Sequence, residues 1–287
     1  MSPWARFFSA AALSWVFIRV LAPGAASTGT QPDIERWILS SRDEFGAGHW
    51  EKALAPTRAL VDHFPTQQVY SDRLARIYFN LGKPVEEAAA WEQFVRSSST
   101  PEDACPAIGQ AYLRAGKRDA SLHAFERCRD FEPTSAEGWF YLGQAYQREG
   151  RSDEALQTFR EAVRVDPIHS DSRVGLAGAL LRAGRAADAL EIIQPTVDYD
   201  MDYADVYLMQ GIALLRLNRR DAARVAFERA SKITQTYPDV HLAFGMLDYA
   251  DGRITDARQR FELALSLAPE RRSEVEPWLR RTEDRSP

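Results

Sequence analysis

Five histidines and two cysteines are the side chains with which this chain could hold a transition metal or run nucleophilic chemistry. His49, His63, His123, His169 and His241 share no spacing that would aim two imidazoles at one ion, and no His-Glu-x-x-His occurs. Asp198, Asp200 and Asp202 alternate in VDYDMDYAD, and converging carboxylates of that kind can hold a divalent cation. The stretch lacks the Gly that follows the third acid of an EF-hand loop, and Met209 stands where the closing Glu belongs. The plainer reading is a solvated loop with acids near the N-terminus of the next helix. The glycine-rich Val174–Ala179 (VGLAGA) falls inside a helical pattern rather than between a strand and a helix, so it is not a phosphate loop. No catalytic residue, metal site or cofactor is assigned, and the chain is expected not to be an enzyme.

The elements behind these residues have a helical period throughout, and no strand-like alternation appears. In Ala136–Pro167, Trp139, Leu142, Gly143 and Tyr146 fall on one stripe of a first helix, and Ala155, Phe159 and Ala162 on one face of a second. Gly143 permits close approach of the second helix, Gly150 the turn into it, and Pro167 ends it. Steps of 34 residues recover the pattern: a small residue at Ser41, Ala75, Gly109, Gly143, Ala177, Gly211 and Gly245; a turn at Gly48, Gly82, Gly116, Gly150, Gly184, Asn218 and Gly252. A large residue of the second helix stands at Trp91, Phe125, Phe159, Ile193, Phe227 and Phe261, with only Thr57 breaking the column. Seven units follow without insertion, at 34–67, 68–101, 102–135, 136–169, 170–203, 204–237 and 238–271. The first two are degenerate, with Ser40 and Glu44, or Glu87, where apolar residues are expected. Pro56 and Pro195 lie inside second helices and are expected to bend them.

The pattern of an aromatic, x2-Leu-Gly-x2-Tyr, Ala-x3-Phe and a closing Pro resembles the tetratricopeptide repeat (TPR) family, over most of the chain. The resemblance implies an all-α fold, a right-handed α-solenoid of tandem antiparallel helix pairs. Arg272–Arg281, with Val275, Trp278 and Leu279 among charges, then reads as a capping helix within 272–287. In such families the face of the first helices opposite the packing stripe lines a concave groove that binds protein or peptide. Counting from the first residue of each repeat, that face holds positions 2, 5, 9, 12 and 13. In the last four repeats these carry Phe140, Val174, Leu181, Leu208, Ile212, Leu215, Leu242, Met246 and Tyr249, whereas Arg42, Asp72, Arg76 and Gln110 stand among those of the first three. The expected partner-binding groove is therefore in the C-terminal half, unless neighbouring first helices bury these residues against each other. No first helix has the Lys at position 5 with Asn at position 9 by which chaperone-binding members clamp a carboxylate. Position 2 is acidic in Asp103, Glu137, Asp171, Asp205 and Asp239, and position 13 is Arg in Arg114, Arg148, Arg182 and Arg216. Two charged ladders could frame the groove, or both could compensate helix dipoles.

The N-terminal stretch carries Arg6, an apolar run from Phe7 to Ile18 and small residues Gly24, Ala25 and Ala26, which reads as a signal peptide (1–26) followed by a linker (27–33). An uncleaved membrane anchor is the alternative, with Arg19 unusual before a cleavage site. Loss of the segment removes Arg6 and Arg19 and no acid, taking the net charge from -5 to -7. That acidic balance argues against nucleic acid as partner. The expected localisation is periplasmic or secreted, and the expected role an exported scaffold for a protein or peptide partner, with envelope or secretion assembly as the setting. In an oxidising compartment Cys105 and Cys128, opposite each other in a hairpin turning near Gly116, could form a disulfide; otherwise they are two small buried residues.

Overall fold

The computed structural model describes residues 31–98, 104–199 and 203–284, and among them fifteen α-helices and no strand. The first helices of the pairs are α1 (Gln31–Gly46), α3 (Gln68–Asn80), α5 (Cys105–Arg114), α7 (Ala136–Arg148), α9 (Ser170–Arg182), α11 (Ala204–Arg216) and α13 (Pro238–Ala250). The second helices are α2 (Trp50–His63), α4 (Pro84–Ser97), α6 (Arg118–Phe131), α8 (Ser152–Val165), α10 (Ala186–Asp198), α12 (Arg220–Ile233) and α14 (Ile254–Leu267); α15 (Arg272–Glu283) closes the stack. Each helix packs on its pair mate and on the next in sequence, the signature of a solenoid.

The turn inside each pair is built the same way seven times. The second residue beyond the first helix takes a left-handed backbone, with φ from 59° at Asn218 to 77° at Gly252. The next amide then reaches back to a carbonyl of the helix's last turn at 2.9 Å, as in Arg151 N–H to Tyr146 O and Arg219 N–H to Leu214 O. This closure satisfies carbonyls that the helix end would leave open, and it needs a residue that tolerates positive φ.

Within a pair, a large residue fills the space left by a small one. A Cβ placed on Gly211 would lie 2.4 Å from the Phe227 ring, and one on Gly143 2.8 Å from the Phe159 ring, so only glycine fits. Phe125, Phe159, Phe227 and Phe261 are all fully buried, each worth about 2 to 3 kcal/mol in transfer free energy. Repeat 1 departs in both members: Ser41 Oγ and Thr57 Oγ1 are 2.8 Å apart and buried, Thr57 donates to Ala53 O, and Arg73 donates to Ser41 Oγ at 2.8 Å. Helices α2 and α10 run through Pro56 and Pro195 without a break. At the far end Val275 is buried, and Trp278 stacks on Phe261 at 5.8 Å and meets the edge of Tyr249, so α15 covers the last pair.

Candidate functional site

First helices of successive repeats touch along the C-terminal half, α7 with α9, α9 with α11 and α11 with α13, while their second helices stay further apart. Closer stacking on one side bends the stack toward that side, so the first helices line the inner face.

That packing takes two residues out of the expected groove. Leu181 and Leu208 are 4% and 3% exposed, and they are core residues rather than a binding surface. Phe140 packs against Phe159 and His169, with ring centroids 6.1 and 5.9 Å apart. Val174 and Ile212 pack on the core between repeats 4 and 6, and Leu215 on that of repeats 6 and 7. Leu242, Met246 and Tyr249 lie against the cluster that α15 completes. All seven of these are half-buried. Second helices, following repeats and α15 cover these side chains in part.

The exposed large apolar residues of the inner face are instead in the N-terminal half: Ile38 on α1, and Val69 and Phe79 on α3, the last two 52% and 56% exposed. They occupy positions 5, 2 and 12, the same positions that nominated the C-terminal set. The signal is present in the sequence, but the charged neighbours Arg42, Asp72 and Arg76 outweigh it there.

The two charged ladders have different fates. Three of the position-2 acids are engaged by the last residue of their own repeat: Tyr203 Oη donates to Asp171 at 2.5 Å, Tyr237 Oη to Asp205, and Arg271 Nη1 to Asp239 at 2.6 Å. Burial, then the acceptor carboxylate, pushes both tyrosine hydroxyls well above their ordinary range, and burial also raises Asp205. These acids tie the end of one repeat to its beginning. Among the position-13 arginines, Arg114 donates to both carboxylate oxygens of Glu87 at 2.7 Å and lies over the Phe79 ring at 5.0 Å. Glu87, 3% exposed, is raised by burial and pulled back by Arg114. Arg182 reaches Gln147 Oε1 on the preceding first helix.

Cys105 and Cys128 are brought together as the hairpin geometry anticipates. Both are free thiols and buried, and the hydrogen bond between them, reinforced by burial, pushes Cys128 above its usual range. Asp198 is exposed and accepts from Gln194 Nε2 at 2.7 Å; Asp200 and Asp202 lie outside the described residues. The apolar run Phe7–Ile18 lies outside them too.

Three family models, each described as tetratricopeptide repeat, match residues 107–167, 147–213 and 204–237. No curated protein matches the chain in sequence. Among solved structures, a tetratricopeptide repeat protein from Parabacteroides merdae is similar with a TM-score of 0.68 at 16% identity, over 88% of this chain and 99% of that one. A chain of the APC/C hetero-tetramer Cut9-Hcn1 gives 0.66 at 14%, over 87% of this chain and 46% of its own length. A thermophilic TPR protein of Thermus thermophilus gives 0.54 at 23%, over 62% and 98%. At these identities the likeness concerns the fold, and it agrees with the helix pairs, turns and small-to-large contacts described above. This chain is a tetratricopeptide repeat protein.

Proposed function

We propose that this protein is an exported, non-catalytic scaffold that holds a protein or peptide partner on the inner face of its first helices, as an accessory factor in envelope or secretion assembly. The fold is one typical of protein–protein interaction. The observation that carries the assignment to this face is the exposure of three large apolar side chains, Ile38, Val69 and Phe79, at inner-face positions of two successive first helices. A concave face of this composition suits an amphipathic helix or an extended peptide. The test is capture of partners from the native host by the wild type and by Ile38→Glu with Val69→Glu, identified by mass spectrometry. Loss of the same partners from the variant, at unchanged helix content and melting temperature, is the expected outcome; unchanged capture rejects this face.

Export rests on the Arg6, Phe7–Ile18 and Gly24–Ala26 pattern alone. The mature chain should begin near Ser27, and an intact N-terminus on soluble cytosolic protein would count against export. Retention of the segment in a membrane fraction would support the anchored alternative. No described helix is long and apolar enough to cross a membrane. In an oxidising compartment the facing thiols of Cys105 and Cys128 form a disulfide on losing two electrons and two protons to a thiol oxidant. Unfolded, unreduced protein from that compartment should then show no titratable thiol.

A further inference from the structure

Position 13 places one arginine at the end of each of four successive first helices, and the structure commits only the first of them to a carboxylate. Arg114 is neutralised by Glu87. Among the described residues no carboxylate lies within ion-pair distance of Arg148, Arg182 or Arg216.

Arg182, the middle one, is the most constrained. Its guanidinium lies back over Gly178 of its own helix, where an added Cβ would come within 3.7 Å of Nη1, and it donates to the amide oxygen of Gln147 on α7. It remains exposed, and among the described residues no carboxylate neutralises it, while the packing around its stem lowers its pKa. A guanidinium held in this way has donors left over, which a planar carboxylate fits. The acids of the same face stand at the opposite ends of the helices, where Tyr203, Tyr237 and Arg271 engage Asp171, Asp205 and Asp239. At the arginine end, Asp188 shares a cleft with Arg216 but is paired with Arg185, and Glu149 lies 3.9 Å from Arg118.

Helices in contact have axes about 8 to 10 Å apart, and an extended chain rises about 3.3 Å per residue. Neighbouring arginines of the row are therefore about three residues of extended peptide apart. We propose that Arg148, Arg182 and Arg216 bind an extended acidic segment of the protein partner, with carboxylates about three residues apart and the central one seated on Arg182. This rests on the inner-face scaffold described above and names the partner's chemistry. A net charge of -5 disfavours a polyphosphate partner, which needs broad positive potential rather than one row.

The test uses the full chain and fluorescein-labelled peptides with Glu, or in a control Lys, at every third residue of a Gly/Ser background, read by anisotropy. The Glu peptide should bind, more weakly as salt rises, and Arg182→Gln should weaken it about tenfold or more. Arg148→Gln and Arg216→Gln should each weaken it less, and Arg182→Glu should shift preference to the Lys peptide, all at unchanged melting temperature. Equal affinity for the two peptides, or no loss in Arg182→Gln and Arg216→Glu alike, overturns the proposal. So does tighter, Arg182-dependent binding of an oligonucleotide or of phosphatidylserine vesicles. Partner capture that is lost in Ile38→Glu with Val69→Glu but indifferent to Arg182→Gln overturns the acidic row alone; capture indifferent to both overturns the inner-face reading itself.

Discussion

The two ends of the solenoid close their helix pairs by different chemistry. In repeats 6 and 7 Gly211 faces Phe227 and Gly245 faces Phe261, and neighbouring first helices pack tightly enough to bury Leu208 and half-bury Ile212 and Met246. In repeat 1 the corresponding contact is polar, Ser41 with Thr57 and Arg73, and repeat 2 keeps Ala75 against Trp91 but adds a buried carboxylate, Glu87, paired with Arg114 of the following repeat. There the first helices approach each other less, and Ile38, Val69 and Phe79 stay in solvent. An array can therefore hold one period with two kinds of core, because each repeat needs only to satisfy its neighbours. The polar end leaves apolar side chains exposed, and the apolar end leaves Arg148, Arg182 and Arg216 exposed.

Substitutions that remove or exchange these contacts break or sharpen the comparison. The largest effect should come from Phe227→Ala, which empties the apolar closure of repeat 6 and should cost about 3 to 5 kcal/mol in urea unfolding. Thr57→Ala, the equivalent change in repeat 1, should cost only about 1 to 2 kcal/mol, and equal costs would erase the distinction.

Arg114→Gln should cost about 2 to 3 kcal/mol near neutral pH, since it leaves Glu87 buried without its cation. The pH dependence has a definite sign. Burial already raises the Glu87 carboxyl, and Arg114 lowers it, so the variant's folded-state value rises further above the unfolded one. A carboxyl raised in the folded state opposes folding above its unfolded pKa and not below it, so the deficit should shrink as the pH falls toward about 4. Thermal melts of both proteins from pH 4 to 8 check this, and a pH-independent deficit would show that the loss is one of packing.

Thr57→Phe alone should overpack repeat 1 by about 1 to 3 kcal/mol, and Ser41→Gly in the same chain should recover most of that. Recovery would show that one small residue decides which closure is used. The smallest effect is at the turn: Asn218→Gly should stabilise by up to about 1 kcal/mol, because Asn218 alone among the described non-glycine residues has positive φ. Its melting temperature, compared with that of Gly150→Ala, which should fall, measures the cost of the left-handed position.

Local geometry explains what could be read from the chain. A turn that must pass through positive φ selects Gly48, Gly82 or Asn218, and a helix contact too close for a Cβ selects Gly143 or Gly211, so period, pairing and turn positions are all visible as residue types. The departures at Ser41, Thr57 and Glu87 are visible as well. Their compensation is not, because Arg73 and Arg114 belong to the next repeat and nothing local announces the pairing.

The sequence by itself determined the helix pairs, their repeat of 34 residues, the tight turns and the two charged ladders. Only the tertiary structure decided which face stays open. Exposure of a first helix depends on how closely the next first helix approaches, a distance set jointly by side chains of three helices. For that reason Leu181 and Leu208 are core while Val69 and Phe79 are surface, although all four occupy inner-face positions of the same repeat. The same joint distance engages Asp171 with Tyr203 and Asp205 with Tyr237.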